Sequence, residues 1–348
     1  MKFADHLLSD QNTIKEVLNL INNIGLRANV LFVVGEDGRL RGSVTDGDIR
    51  RALLKDVSID DNISEAMNPS CQYLVEGNIT NGIFQELRQK NMSFVPVVDA
   101  DKKLVNILDL EEIEYIIPAE TVLMAGGRGT RMLPLTQDTP KPLLKVGDKP
   151  IIEHNIDRLI KFGVNRIHIC VNYLGYKIQD YFKDGAAKGI KINYLCEAEP
   201  LGTIGALSLL EDLQHDTVLL MNSDLLTNID FGNLYEEFIK SEADLAVASI
   251  PYHVDLPYAV MELSDDSIIS LEEKPRYTYF ANAGIYLMKK ELLEYIPKAA
   301  FYNSTDLVEQ AIVRRKKVIN FPILGYWLDI GRMSDYSKAQ EDIKYLEL

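Results

Sequence analysis

An apolar run, Val122-Leu123-Met124-Ala125, feeds directly into Gly126-Gly127-Arg128-Gly129-Thr130-Arg131, and Thr139-Pro140-Lys141-Pro142-Leu143 follows shortly after. A strand ending in such a turn narrows the choice of fold sharply. Glycines let successive backbone N–H groups point into one concave nest that can hold a phosphate. Arg131 and Lys141 add fixed positive charge over the same ligand. A P-loop closes its glycine run with Lys-Ser or Lys-Thr, whereas this run closes with Thr130-Arg131. The dinucleotide pattern needs a third glycine three residues past the second, and Met132 stands there. The motif therefore predicts a nucleotide-handling loop of another kind, with a plain Gly/Arg-rich surface turn as the alternative.

The chain has 348 residues, enough for two domains with separate cores. Its net charge of −15 argues against non-specific nucleic-acid binding. Against that background Arg128, Arg131, Lys141, Lys145 and Lys149 outnumber Asp138 and Asp148 between Gly126 and Lys149, which suggests a site for a small anion. No apolar run is long enough to span a bilayer. Met1-Lys2-Phe3-Ala4-Asp5-His6 lacks the basic-then-apolar order of a signal peptide. Cys71, Cys170 and Cys196 give neither a disulfide framework nor zinc spacing, so a cytoplasmic location is expected, with no membrane partner.

Residues 1–118 contain an internal repeat. Phe32-Val33-Val34-Gly35-Glu36-Asp37-Gly38-Arg39-Leu40 aligns with Pro96-Val97-Val98-Asp99-Ala100-Asp101-Lys102-Lys103-Leu104. A helical pattern precedes each copy (Ile14, Val17, Leu18, Ile21, then Ile79, Ile83, Phe84, Leu87), and a helix near an acidic residue is expected after each. The order β-α-β-β-α, used twice, resembles a tandem cystathionine-β-synthase-type (CBS) pair. The first copy carries Gly42-Ser43-Val44-Thr45-Asp46-Gly47-Asp48. The resemblance implies a regulatory adenine or guanine nucleotide there, with Asp48 on ribose hydroxyls and Thr45 on phosphate or ribose. In the second copy Asn106, Asp109 and Glu112 occupy the matching places and bring negative charge. A pair used only for dimerisation is the alternative, and a homo-oligomer is expected either way. Pro118 is read as stopping a helix before the second domain, 119–348.

From Thr121 onward strands alternate with helices, which predicts a layered α/β sheet. Strands are expected at Thr121–Ala125, Arg166–Val171 and Val218–Met221, with a helix opened by Pro150 and stopped by Gly163. Cys170 reads as packing. Ligands in such sheets bind beyond the carboxyl ends of the strands, where the glycine loop and Asp224 would both lie. Gly202 is read as a close backbone approach to ligand, and Thr203 as a cap for the helix after it.

Together with Glu197-Ala198-Glu199-Pro200-Leu201-Gly202, Glu272-Glu273-Lys274-Pro275, Asn282-Ala283-Gly284 and Trp327-Leu328-Asp329, the loop makes residues 119–348 resemble the sugar-1-phosphate nucleotidyltransferases. The resemblance implies a Rossmann-like α/β/α sheet behind the CBS pair. In the family reaction a sugar phosphate oxygen attacks the α-phosphorus of a nucleoside triphosphate and pyrophosphate leaves. The nucleophile is already an anion, so positioning and electrostatics carry the rate. By resemblance Arg131 and Lys141 act on the phosphates, and Ala125, Gly126, Gly127, Gly129, Thr130, Glu197, Pro200 and Gly202 hold the nucleotide. Glu273, Lys274, Asn282 and Gly284 take the sugar phosphate. Asp224 and Asp329, neither with an evident local partner, hold Mg²⁺. Many relatives carry Gly before the first of these aspartates; this chain carries Ser223.

Glu197 aligns with the family's base-edge contact. Guanine offers two adjacent donors that one carboxylate can accept, which implies GTP, although Glu197 could cap a backbone turn instead. The fused CBS pair also resembles glucosamine 1-phosphate guanylyltransferases, with manno- or heptose 1-phosphate as further acceptors. Uridylyl, thymidylyl or cytidylyl transfer to another phosphorylated acceptor, phosphocholine included, and a non-catalytic nucleotide sensor are the competing expectations.

Overall fold

The computed structural model describes residues 6–24, 30–76 and 79–346. The reading of Met1 to Asp5 as lacking leader order therefore lies outside the described residues. Two units divide the chain at Pro118, and segments 159–167 and 180–193 belong with the first.

In the first unit β1 (Leu7–Ser9), α1 (Ile14–Ile24), β2 (Leu31–Val34), β3 (Leu40–Val44) and α2 (Asp46–Leu53) form one copy of the repeat. The second copy consists of β4 (Leu74–Val75), α3 (Asn81–Gln89), β5 (Phe94–Val98) and β6 (Leu104–Asp109). Each copy has its own three-stranded sheet, in the orders β1-β2-β3 and β4-β5-β6. Registers coincide: Val33 faces Gly42 in the first, and Val97 faces Asn106 in the second. The copies exchange backbone bonds, Leu40 N–H to Lys102 O and Leu104 N–H to Gly38 O, both 3.0 Å. Each keeps a core, around Ile14, Val17, Val33 and Ile49 in one and Phe84, Val95, Val97 and Leu110 in the other.

The second copy departs from expectation at its end, because among the described residues no helix lies between β6 and Pro118. Asp109 caps only the Glu111 N–H, and Glu114 and Ile117 donate to Lys161 O and Phe162 O instead. Those carbonyls lie at the end of a helix, where intrahelical partners run out. Pro118 thus follows an irregular segment and stops no helix.

After Pro118 the elements run β7 (Glu120–Met124), β8 (Lys145–Val146), β9 (Lys149–Pro150), α4 (Ile151–Lys161), β10 (Arg166–Val171), α5 (Gly175–Phe182), β11 (Lys191–Cys196), β12 (Thr217–Asn222) and β13 (Leu225–Thr227). They continue with α6 (Phe231–Lys240), β14 (Leu245–Asp255), β15 (Val260–Ser264), β16 (Ser267–Glu272), β17 (Arg276–Lys289), α7 (Ser304–Val313), β18 (Val318–Pro322), β19 (Trp327–Asp329) and α8 (Met333–Asp342). Seven strands make one mixed sheet in the order β11-β10-β7-β12-β17-β14-β18. β7 and β12 pair in parallel, so the two ends that matter most emerge side by side. Their side chains are buried on both faces, as strands covered from both sides require. Among the described residues no helix is long and apolar enough to cross a membrane.

At the opposite end of β7 the Glu120 carboxylate is 1% exposed; it meets His168 Nε2 at 3.2 Å and accepts from His215 N–H at 3.1 Å. Removing one partner of such a buried set leaves unpaired polar groups behind. Glu120→Ala is expected to destabilise the second unit by about 3 kcal/mol, measured as a lower urea midpoint. An unchanged midpoint would contradict this role.

Candidate active site

β7 and β12 end together, and Ser223 ties the ends: its N–H and hydroxyl both donate to Met124 O, at 3.1 and 2.6 Å. The serine in place of glycine thus has a structural task. Asn155 of α4 donates to Ser223 O at 3.2 Å and fixes the next residue, Asp224.

Asp329 arrives by a route that sequence reading did not find. The short strands β13 and β19 pair antiparallel with Leu225 opposite Asp329, and Ile330 N–H donates to Asp224 O at 3.1 Å. Arg158 holds the far end of β13 through its bonds to Asn228 O and Ile229 O. Beneath lies a small core of Met132, Leu144, Val146, Ile151, Leu226, Ile330 and Ala339. Met132 adjoins Arg131 in sequence, and Ile330 adjoins Asp329. One apolar cluster therefore anchors the loop, the lysine segment and both aspartates.

Lys141 joins them. Its ammonium lies 2.5 Å from Asp224 Oδ2 and 3.9 Å from Asp329 Oδ1, and its side chain is only 10% exposed. The aspartates thus share a partner distant in sequence, and Lys141 rests on them. Gly129 makes the approach possible. It adopts a left-handed conformation (φ 62°), and a Cβ there would sit 3.1 Å from Lys141 Cβ and 3.0 Å from Thr136 Cγ2. Burial pushes the Asp329 carboxyl above its ordinary pKa, Asp224 pushes it further, and Lys141 and Arg131 oppose the rise.

Two carboxylates converging on one cation are a donor set suited to a hard divalent ion, which takes one or two carboxylates and completes its shell with phosphate and water. Among the described residues no group of three or more His, Cys, Asp or Glu side chains has metal-binding spacing.

On the other side of the loop, a Cβ on Gly126 would meet Glu197 Oε2 at 3.0 Å and Asn172 Cβ at 3.3 Å. Ala125 is buried, and its N–H continues the sheet to Cys170 O at 2.9 Å. Gly127 and Thr130 are both exposed, and among the described residues nothing stands within 4 Å of a Cβ on Gly127. Burial pushes the Glu197 carboxyl above its ordinary pKa, opposed by a hydrogen bond from the Leu201 backbone. Glu197 thus meets the Leu201 backbone on one side and the loop at Gly126 on the other.

Asn172 and Tyr173 were missed. Asn172 Nδ2 donates to Glu197 O at 2.9 Å, Tyr173 OH donates to Gln137 O at 2.9 Å, and Arg128 lies 6.0 Å over the Tyr173 ring. Both follow directly after the strand Arg166–Val171, and the carboxyl-end rule applied to that strand would have found them.

The capping expectation for Thr203 needs correction, and the structure places the other candidates as follows. Gly202 (φ 81°) makes its close approach to the Tyr302 backbone, with Tyr302 O 2.6 Å from a Cβ there. Pro200 beside it is exposed. Thr203 does not cap the following 3₁₀ turn, whose cap position is Ile204. Its hydroxyl instead accepts from Ser304 N–H at 2.8 Å, at the start of α7. Asn282 is engaged internally: Nδ2 donates to Tyr286 OH at 2.5 Å and Oδ1 accepts from Gly284 N–H at 2.9 Å. Gly284 packs on Asn222, whose Nδ2 would lie 2.5 Å from any Cβ added there, and Trp327 Nε1 donates to the neighbouring Ala283 O. Glu273 and Lys274 are both 68% exposed and pair with each other at 4.0 Å. Among the described residues no ion pair joins them to Lys141, Asp224 or Asp329. In the first unit Thr45 and Asp48 form a reciprocal capping box on α2, and Arg51 pairs with Asp48 at 2.5 Å.

Residues 120–345 match the family model for nucleotidyl transferases, and residues 7–55 match that for the CBS domain. A rice (Oryza sativa subsp. japonica) protein assigned as mannose-1-phosphate guanylyltransferase 1 is 34% identical over 227 residues, 62% of this chain and 62% of the relative. The D-glycero-α-D-manno-heptose 1-phosphate guanylyltransferase of Aneurinibacillus thermoaerophilus is 29% identical, over 65% of this chain and 99% of the relative. The match spans only 54% of the bifunctional protein GlmU of Methanocaldococcus jannaschii, so the chain covers little more than half to under two thirds of some relatives. A crystal structure from Bacillus anthracis, assigned as a glucose-1-phosphate thymidylyltransferase and holding sucrose, superposes with a TM-score of 0.54 at 25% identity, covering 66% of this chain and 97% of that one.

Proposed function

The chain belongs to the nucleotidyl transferase family, and from that premise we propose that it transfers a nucleotidyl group from a nucleoside triphosphate to a sugar 1-phosphate. The acceptor's phosphate oxygen bonds to the α-phosphorus as the bond from that phosphorus to the β-phosphate oxygen breaks. A nucleotide sugar and pyrophosphate result. The carrying observation is the meeting of Lys141, Asp224 and Asp329 at the carboxyl ends of β7 and β12.

The barrier is repulsion between two polyanions plus charge growth on the leaving pyrophosphate. Asp224 and Asp329 would hold Mg²⁺, which supplies charge neutralisation at the phosphates when bound. Arg131, exposed and close enough to lower the Asp329 pKa, and Lys141 contribute fixed cationic charge. The Gly126–Gly129 backbone offers N–H groups to the phosphates, and Ser223 with Asn155 keeps Asp224 aimed at them.

GTP is the proposed donor, and a hexosamine, hexose or heptose 1-phosphate the acceptor, glucosamine 1-phosphate first among them. Glu197 beside Gly126 supports the base choice, since a carboxylate is an acceptor for both guanine edge donors. Pyrophosphate release tests the reading across GTP, UTP, dTTP, CTP and ATP with glucosamine, mannose and manno-heptose 1-phosphates. No release in any combination would overturn it. Glu197→Gln is expected to lower kcat/KM for GTP about tenfold or more, the cost of roughly one charged hydrogen bond, and to move the ranking toward UTP and dTTP. An unchanged ranking would remove Glu197 from base selection.

A further inference from the structure

Tyr173 lies just beyond β10, and Lys177 stands in the first turn of α5. Both belong to the second unit, as does the segment that leads into Lys141. Tyr173 OH donates to Gln137 O at 2.9 Å, and Lys177 Nζ donates to Asp138 O. Among the described residues no backbone N–H donates to either carbonyl, so side chains from another element supply their partners. The lysine bond is charge-assisted and about twice as strong as a neutral one. Tyr173 also holds the glycine loop, because the Arg128 guanidinium lies 6.0 Å over its ring. Loop and lysine segment therefore share one side chain. Thr136, which is buried, ties them a second time by donating to Gly129 O at 2.8 Å.

What these bonds fix is carried to Lys141 by a stiff link. Only Thr139 and Pro140 separate Asp138 from Lys141. Pro140 holds φ at −61°. A proline ring fixes its own φ and restricts the residue before it, so Pro140 and Pro142 limit Thr139 and Lys141 in turn. A backbone with so few free torsions passes a shift at Asp138 on to the ammonium. The downstream side is anchored separately. Leu143 N–H donates to Pro140 O at 2.8 Å, Leu144 N–H donates to Lys141 O at 3.0 Å, and Leu144 enters the apolar cluster.

We propose that Tyr173 and Lys177 are positioning residues, clamping Gln137 and Asp138 so that Lys141 meets the phosphates at one fixed place. This rests on the transferase reading above. Neither side chain needs to touch substrate; both act through Lys141. The rate is sensitive to such placement, since a misplacement of about 1 Å from a remote lesion can cost 10²-fold.

Tyr173→Phe keeps the ring under Arg128 and deletes only the hydroxyl, and Lys177→Met keeps the stem and deletes the ammonium. In the pyrophosphate assay each is expected to lower kcat about tenfold and the double variant about 10²-fold. KM for the triphosphate should stay within about threefold, because what is lost is perfected only in the transition state. Lys177→Arg, which returns a charged donor, should recover most of the rate. Tyr176→Phe, on the exposed ring beside Lys177, should leave kcat unchanged. Hydrogen exchange reads the clamp without turnover. In the double variant the Gln137 and Leu143 amides should exchange about tenfold faster, with β7 and β12 unaltered. Unchanged exchange at those two amides, or an equal rise in β7 and β12, would overturn the clamp. Wild-type kcat in the double variant, a loss carried by KM alone, or an equal loss in Tyr176→Phe would overturn its positioning role. A wild type silent with every substrate pair would instead sink the transferase reading, and exchange would still decide the clamp.

Discussion

Asp224→Asn is expected to lower turnover about 10³-fold, the roughly 4 kcal/mol that losing one anchor of a Lewis-acidic cation costs, while the protein stays folded. The exchange is isosteric. Its amide oxygen can still accept from Lys141, the Ser223 and Asn155 bonds that set the backbone are untouched, and the side chain is 27% exposed. What disappears is one of two hard anionic ligands. The Mg²⁺ concentration giving half-maximal rate should therefore rise together with the fall in kcat. Pyrophosphate release over a Mg²⁺ series measures both quantities, and a variant within tenfold of the wild type would remove Asp224 from metal binding.

The second large effect belongs to Lys141→Met, which keeps the buried stem and deletes the cation. Turnover is expected to fall about 10²–10³-fold through lost electrostatic stabilisation. A second consequence distinguishes this substitution from a generic lesion. Burial and Asp224 already push the Asp329 carboxyl upward, and Lys141 opposes the rise. Without the ammonium the two carboxylates face each other uncompensated, a penalty moderated by solvent because the Asp329 side chain is 47% exposed. The variant should melt earlier than the wild type in chelator, and added Mg²⁺ should raise its Tm more than it raises that of the wild type. Equal Mg²⁺ shifts in the two proteins would show that the ammonium and the metal do not share a position.

Local signals were well read in the sequence. Strands at Thr121–Ala125, Arg166–Val171 and Val218–Met221 fold as β7, β10 and β12, each within one residue of the expected ends, because buried runs and turn residues act over short spans. The registers of the CBS copies, Val33 with Gly42 and Val97 with Asn106, follow the aligned repeat. Long-range pairing was not legible. β13 and β19 are three residues each, too short for any periodicity, yet their ladder brings Asp329 to Asp224. The helix expected after β6 failed because Asp109 carries a capping signal while Glu114 and Ile117 find backbone partners in another segment. Asn282 illustrates the remaining gap. A polar residue beside Gly284 suits a ligand equally well whether or not its amide is already satisfied by Tyr286, and only the fold reveals that it is.

The central claim, that one divalent cation is gripped by two aspartates distant in sequence, is tested most directly by Mn²⁺ retention in equilibrium dialysis with a non-hydrolysable GTP analogue, corrected for the nucleotide alone. The wild type should retain about one ion per chain at saturation, the usual share for a two-carboxylate site, and Asp224→Asn and Asp329→Asn should each lose it. Full retention by either variant would contradict the account.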